Sequence, residues 1–381
     1  MARPAGSSKL LRAMNESAAL AHLIDPGRLT RADLRRLTAL STPTISEVLR
    51  RLTDAGLVGV VAHQPRRRPG PNAEIYAANP DAAYAAAVSI RDVGSGDGPS
   101  VSAALCDLAG ETRARFECDV DFRNTDPGTA LAGVLKRLQG DQERLRYVQL
   151  GISGSYDRRT ETIGHTEVPG FQKPGLLPEL IKELGVPIGV DNDVNLAAIA
   201  ERRHGVARNS DGFALLWLGD EGLGLAIDIG GTLLRGARGG AGEIGYMPLF
   251  AADGRRDLQD LVGGPAVLAL GHEHGISGRT PGEVVSNAGG AFFTELADRV
   301  AVGLAAVIAV LDPSLVVLAG QVAQAGGRPL RDAVDQAMLR AAPLESAIEV
   351  TSIDDDAVLL GALDAGLGTV REALISDIRD S

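Results

Sequence analysis

The chain has 381 residues, 45% of them apolar, which excludes an intrinsically disordered protein and predicts two or three domains with well-filled cores. A net charge of −11 speaks against nucleic-acid binding by the molecule as a whole, yet residues 1–80 carry twelve Arg and Lys against six Asp and Glu, a surplus of +6, while the rest carries −17. No apolar run reaches membrane-spanning or signal-peptide form, and Cys106 and Cys118 lack metal-type spacing, so a reducing, cytoplasmic setting without a membrane partner is expected.

Residues 29–38 begin with Thr30, a residue that N-caps helices, and place Leu34 and Leu37 on one helical face. Residues 39–41 make a turn. A second helix over 42–52 tolerates Pro43 in its first turn and buries Ile45, Val48, Leu49 and Leu52. Thr42, Thr44, Ser46, Arg50 and Arg51 are left facing outward, and Gly56 ends the helix. Hydroxyl side chains near such a helix start can reach base edges, and the arginines beyond can hold phosphates. Strands at 57–61 and 73–76 then flank a Pro- and Gly-rich tip. There Arg66, Arg67 and Arg68 can enter a narrow minor groove, although a solvated charged loop would carry the same triplet. The order helix, turn, helix, wing predicts a winged helix-turn-helix over 1–80 that binds double-stranded operator DNA. Paired heads would read half-sites about one helical turn apart or a multiple of it.

After Asn79-Pro80 the pattern changes to strands alternating with helices. Strands are expected at 84–90 and 101–108 as a hairpin, then at 147–152, 188–190, 212–218, 222–228 and 315–319. Helices are expected at 129–138, 195–204 and 292–311. The mixture predicts an α/β body of two related lobes.

Three stretches of this body resemble the ROK family of repressors and sugar kinases. They are Val190-Asp191-Asn192-Asp193-Val194-Asn195 with Ala198–Glu201 following, Leu234-Arg235-Gly236-Ala237 running into Ala241-Gly242-Glu243-Ile244-Gly245-Tyr246, and Leu311-Asp312-Pro313 leading to Val316-Val317-Leu318-Ala319-Gly320. The resemblance spans essentially the whole chain. It implies an actin-like, ribonuclease H-like sugar-kinase body, with a first lobe over 81–190 completed by a helix at 356–381. A second lobe over 191–355 would carry ligand and oligomerisation surfaces, in a homodimer or tetramer. In family kinases the Asp of the Asn-Asp pair is the general base on the sugar hydroxyl. Its match is Asp193, with Asn192 as a hydroxyl partner. Glu243 matches the pocket glutamate, Asp260 a further acidic position, and Tyr246 stands where the family usually has His. Carboxylates and amides suit sugars because they accept and donate to adjacent hydroxyls in fixed geometry. Asp191 and Asp193 would equally serve to cap the helix that follows them.

Several departures argue against phosphotransfer. The first phosphate turn should read Asp-x-Gly-x-Thr, but residues 90–100 have no Thr and add Pro99. The second should read Gly-Thr-Gly, but Gly219-Asp220-Glu221-Gly222 places two carboxylates where a triphosphate would approach, which opposes binding. Asp228-Ile229-Gly230-Gly231-Thr232 looks like a phosphate motif but lies past the sugar-site helix, where a hairpin turn is expected. Tyr246 in place of His, and a Cys-free loop at 251–258, leave no tetrahedral zinc set. That loop is then expected to be ordered by packing of Leu258, Leu261 and Val262. Together these features predict a transcription repressor that senses a sugar or sugar-like effector, with no catalytic residue, cofactor or metal. An active ATP-dependent sugar kinase with a DNA-binding head is one alternative. A regulator controlled by a protein partner is another.

Overall fold

The computed structural model describes every residue except 1–5, 25–26, 65–71, 92–99, 140–143, 167, 252–253, 355 and 381. The head opens with helix α1 (Gly6–Ile24), absent from the expected elements, which buries Ala19, Leu20 and Leu23. After β1 (Leu29–Thr30) comes α2 (Arg31–Thr38). There Thr30 and Asp33 form a capping box, each side chain accepting the other's backbone N–H. Helix α3 (Thr42–Asp54) is N-capped by Ser41, and its Ile45, Val48, Leu49 and Leu52 are all buried, the face read from the sequence. β2 (Val58–Gln64) and β3 (Ala73–Ala78) pair antiparallel, and β1 lies on the other edge of β3. The order is a helix pair followed by an antiparallel hairpin, as the sequence predicts for this segment. The tip holding Arg66, Arg67 and Arg68 lies outside the described residues.

The first lobe follows. β4 (Tyr84–Ile90) pairs antiparallel with β5 (Val101–Asp107), and β5 with β6 (Thr112–Cys118). β4 and β5 are buried along their whole length, as strands covered on both faces must be. β6 is an edge strand with the period-two pattern of one buried face, Ala114, Phe116 and Cys118 turned toward the core. Helix α4 (Pro127–Gln139) leads to β7 (Leu145–Ile152), the short hairpin β8 (Ser155–Asp157) and β9 (Thr162–Gly164), helix α5 (Leu176–Leu184), β10 (Ile188–Asn192) and helix α6 (Asp193–His204). The sheet order is β10-β7-β4-β5-β6, the first three strands parallel.

The second lobe repeats that plan. β11 (Gly212–Leu218) pairs antiparallel with β12 (Leu223–Ile229), which turns through Gly230 and Gly231, both at positive φ, into β13 (Thr232–Leu233). The Asp228–Thr232 stretch is thus a hairpin turn. A second hairpin, β14 (Pro248–Ala251) and β15 (Gly254–Asp257), precedes α7 (Leu258–Val262), whose Leu258 and Val262 are buried. Then come α8 (Gly264–Glu273), α9 (Pro281–Ser286), α10 (Gly290–Leu311), β16 (Leu315–Ala319), α11 (Gln321–Ala341), β17 (Ala347–Val350) and α12 (Ala357–Asp380). The order β17-β16-β11-β12-β13 again has three parallel strands followed by two antiparallel ones.

Helix α12 lies on α6 and on β4, β5 and β7, and its later turns meet α1. One apolar core joins the head, through Leu20, Leu23, Leu49 and Leu52, to Leu108, Leu367, Val370 and Leu374 of the body. No helix among the described residues is long and apolar enough to cross a membrane.

Candidate functional site

The site is built where β10 ends. Asn192 caps α6, its side-chain oxygen accepting the N–H groups of Val194 (2.9 Å) and Asn195 (3.2 Å). Its amide nitrogen donates to the Gly154 carbonyl at 3.0 Å, which clips the β8–β9 hairpin to the helix start. Gly154 has φ +113°, and a Cβ there would lie 2.5 Å from the Gly164 carbonyl oxygen, so only glycine lets the hairpin close in this way. The helix starts at Asp193, two residues before the expected 195, because Asn192 takes the capping role and leaves Asp193 half-buried in the cleft.

Asp193 and Glu243 face one another closely enough for their charges to interact. Burial pushes the Asp193 carboxyl up to about 6; the Val194 N–H opposes this and the Glu243 charge adds to it. Burial also raises Glu243, and the charge of His165 pulls it back. The 236–242 loop delivers Glu243. A Cβ on Gly242, at φ +92°, would sit 1.9 Å from the Leu225 carbonyl oxygen, so glycine alone lets the loop lie against β12. Tyr246 is 58% exposed at the rim, its ring 5.6 Å from that of His165. His165 has φ +55°, a strained setting for a non-glycine residue, and was not among the expected site residues. Its contact with Tyr246 spans 81 positions, so no local pattern marks it.

Asp191, one residue before the cap, is spent on structure. It accepts from Arg235 Nε and Nη2, from the Asn192 N–H and from Asn195 Nδ2.

Asp260 requires a correction. It is exposed, and its carboxylate accepts the Asp257 N–H in a capping box that starts α7. Its described contacts do not reach Asp193 or Glu243. The spacing Asp257-x-x-Asp260 is itself a helix-start signal, and that role is the one the fold uses. Its neighbour Gln259 is the residue turned inward, accepting from the Leu223 N–H at 3.1 Å and donating to the Glu221 carbonyl at 3.3 Å.

Gln259 thereby braces the second phosphate-type turn, which is closed by a Gly219 N–H to Gly222 carbonyl bond of 3.0 Å. Asp220 folds back onto the start of α9, its carboxylate accepting the Gly282 N–H at 2.8 Å, and its own N–H donates to Gln321 Oε1 at 3.4 Å. A backbone donor that an anion would use at that helix start is occupied by the protein's own carboxylate. Burial raises the Asp220 carboxyl, the Gly282 N–H lowers it and Glu283 raises it. The first such turn, 92–99, lies outside the described residues.

On the head, Thr42 and Arg50 are exposed and Thr44 and Ser46 half-exposed on the free side of α3. Arg50 bridges Glu47 and Asp54 of its own helix. Arg51 is corrected: it turns inward, Nε 3.0 Å from a carboxylate oxygen of Glu16 on α1, which is 2% exposed. Arg51 fits the outward pattern of α3 taken alone, but α1 covers that position. Burial pushes the Cys106 thiol up to about 12, which suits a core filler and not a reactive group. Among the described residues no group of three or more His, Cys, Asp or Glu is placed to hold a metal ion.

The ROK family model matches residues 93–366. The chain belongs to the ROK family. Among curated ROK relatives, the bifunctional enzyme NanE/NanK of Brucella suis is 31% identical over 188 residues, covering 48% of this chain and 35% of that protein. The chain therefore spans about a third of that relative's length. The glucokinase of Halalkalibacterium halodurans is 26% identical over 308 residues, covering 71% of this chain and 92% of the enzyme. Of solved ROK structures, a family transcriptional regulator described as a homologue of the E. coli MLC protein superposes with a TM-score of 0.76 at 17% identity, covering 97% of this chain and all of that one. The ROK hexokinase of Thermus thermophilus gives 0.63 at 24% identity, covering 76% of this chain and 99% of the enzyme.

Proposed function

We propose that this ROK protein is a DNA-binding transcription regulator, acting as a repressor, that senses a sugar or sugar-like metabolite without phosphotransfer. The observation that carries this reading is the apolar core shared by the head and α12. It makes the helix pair and hairpin an integral part of the molecule, connected through α12 to the helix that bears Asp193. The head is also what separates the two structural likenesses: the regulator covers 97% of the chain, the hexokinase 76%.

Residues 1–80 serve as the DNA-binding unit, 81–190 with 356–381 as the first lobe, and 191–355 as the second. Thr42, Thr44, Ser46 and Arg50 meet the operator from α3 together with Arg66, Arg67 and Arg68 of the tip, in a homodimer or a pair of dimers. The effector sits at Asn192, Asp193 and Glu243, with Tyr246 at the rim. It acts through its differential affinity for two placements of the heads. Asp220 on the Gly282 N–H supports the absence of phosphotransfer.

Fluorescence polarisation on the protein's own upstream promoter DNA tests the reading, with D-glucose, D-xylose, N-acetyl-D-mannosamine and their phosphates added in turn. Release of DNA by one compound supports it, and Asp193→Ala should abolish that release while leaving promoter binding intact. Failure to bind the promoter, together with sugar-dependent ATP consumption, would replace it by the kinase reading that the kinase relatives favour.

A further inference from the structure

Away from Asp193 and Glu243, a cavity of about 280 Å³ opens between the lobes. Its volume lies just under the roughly 300 Å³ at which small-molecule pockets begin. Arg91 and Arg115 line it, but each faces a carboxylate of the same lining: Arg91 lies 3.8 Å from Asp356 and Arg115 3.8 Å from Glu117. Two further lining carboxylates, Glu201 and Asp354, have no Arg, Lys or His within salt-bridge distance among the described residues.

Glu201 is 1% exposed. It accepts the Val206 N–H at 2.5 Å and the Thr351 hydroxyl at 2.7 Å. A Cβ on Gly205 would fall 2.0 Å from its oxygen, so the chain makes room for this carboxylate. These two donors fill about half of the acceptor capacity of a carboxylate, and a buried charge without a counter-ion is costly. Trp217, half-buried on the same wall, supplies an aromatic face. It packs both with the second-lobe sheet and with the crossing of α6 and α12. An indole beside uncompensated carboxylates favours a positive charge.

We propose that this cavity is a second ligand site that takes a small organic cation, an alkylammonium or alkylguanidinium, with its charge at Glu201 and its chain against Trp217. The site is independent of the DNA-binding reading and of the sugar-type pocket.

Trp217 is the chain's one tryptophan, so intrinsic fluorescence of the full-length protein reports on this cavity. The protein is titrated with butylammonium and butylguanidinium, and with butyrate and butanol at matched ionic strength. A saturable change is expected with the cations and not with butyrate or butanol. Glu201→Gln removes the charge while its Oε1 still accepts the Val206 N–H and its Nε2 donates to the Thr351 hydroxyl, reversing that bond, and it should raise the half-saturating cation concentration roughly thirtyfold. Should that variant not fold, Asp354→Asn on the exposed lip should raise it about two- to fivefold. No saturable change with either cation, an equal response to butyrate, or cation binding unaltered in the folded variant overturns the proposal. Promoter binding is measured separately, so failure of the regulator reading does not affect this result.

Discussion

The Asp191 carboxylate accepts two N–H groups of Arg235, from Nε at 2.9 Å and Nη2 at 2.6 Å, and so ties the end of β10 to the loop that delivers Glu243. Its other oxygen accepts the Asn192 N–H at 3.0 Å and Asn195 Nδ2 at 3.2 Å. With its acceptor capacity committed, Asp191 holds that loop against the end of β10, while Asp193 two residues later is left available to a ligand. Arg235→Ala should leave a buried carboxylate without its cation and lower stability by about 3 kcal/mol, at the lower end for a broken buried pair because Arg235 is partly exposed. Urea unfolding checks this, and a loss below about 1 kcal/mol would reduce the pair to a surface contact.

Asp193 gives the protein a specific pH dependence. Its carboxyl titrates near 3.8 in the unfolded chain and at about 6 in the folded one, chiefly through burial. As pH rises through this window the unfolded state gives up its proton first, so folding stability falls between about pH 3.8 and 6 and loses nothing further above that. The loss is up to about 3 kcal/mol. Asp193→Asn should therefore gain stability relative to the natural protein across this window and hold the gain at pH 7. Glu243→Gln, by removing a like charge, should narrow the window from its upper end. Urea midpoints at pH 4, 5, 6 and 7 measure both effects, and a parallel pair of curves for Asp193→Asn and the natural protein would remove Asp193 as a buried titrating group.

Much of this was legible in the sequence, because local chemistry coincided with the final fold. Thr30 and Asp33 cap α2, the apolar stripe of α3 is buried as its spacing demands, and the expected body strands fall within two residues of their bounds, while β2 runs three residues past its expected end. β6 was not among the expected strands, although Ala114, Phe116 and Cys118 alternate with polar residues as in a half-buried strand. What stayed hidden depends on partners distant in sequence. The stripe of α1 is interrupted by Glu16, whose burial makes sense only beside Arg51, 35 positions later. His165 joins the site through Tyr246, and Asp220 reaches its acceptor role through Gly282. Asp260 shows the converse: a family position suggested a pocket acid where a local capping signal already accounted for it.

The Glu16–Arg51 pair predicts two separable kinds of DNA-binding defect in the head. Arg51→Ala strands Glu16, whose carboxyl burial already pushes up against the pull of Arg51, between α1 and α3. The variant should lose thermal stability and promoter affinity together, with the salt dependence of the remaining binding unchanged because no phosphate contact has been removed. Arg67→Ala should keep its melting temperature, weaken binding and reduce the salt slope by about one counter-ion. Polarisation titrations at three salt concentrations distinguish the two. A reduced slope in Arg51→Ala would mean that this guanidinium leaves Glu16 to meet DNA.

Helix α12 is the element through which occupancy of the site can reach the head. Its Gly361 packs against Leu196 and Ala200 of α6, and its Asp364 holds Arg203 and His204 at the end of that helix, while Leu367, Val370 and Leu374 enter the core that holds Leu20, Leu49 and Leu52. Leu367 is almost fully buried, so Leu367→Ala should cost about 2–4 kcal/mol as the site loses apolar contacts and gains a void. A purely structural role would lower stability and leave the ratio of promoter affinities with and without effector unchanged. A connecting role predicts that this ratio falls toward one under conditions where the variant remains folded, since the head then no longer follows α12. Leu135→Ala, in the first-lobe core away from α12, is the control. It should be destabilised to a similar degree and keep the ratio, and an equal loss of ratio in both variants would remove α12 as the connecting element.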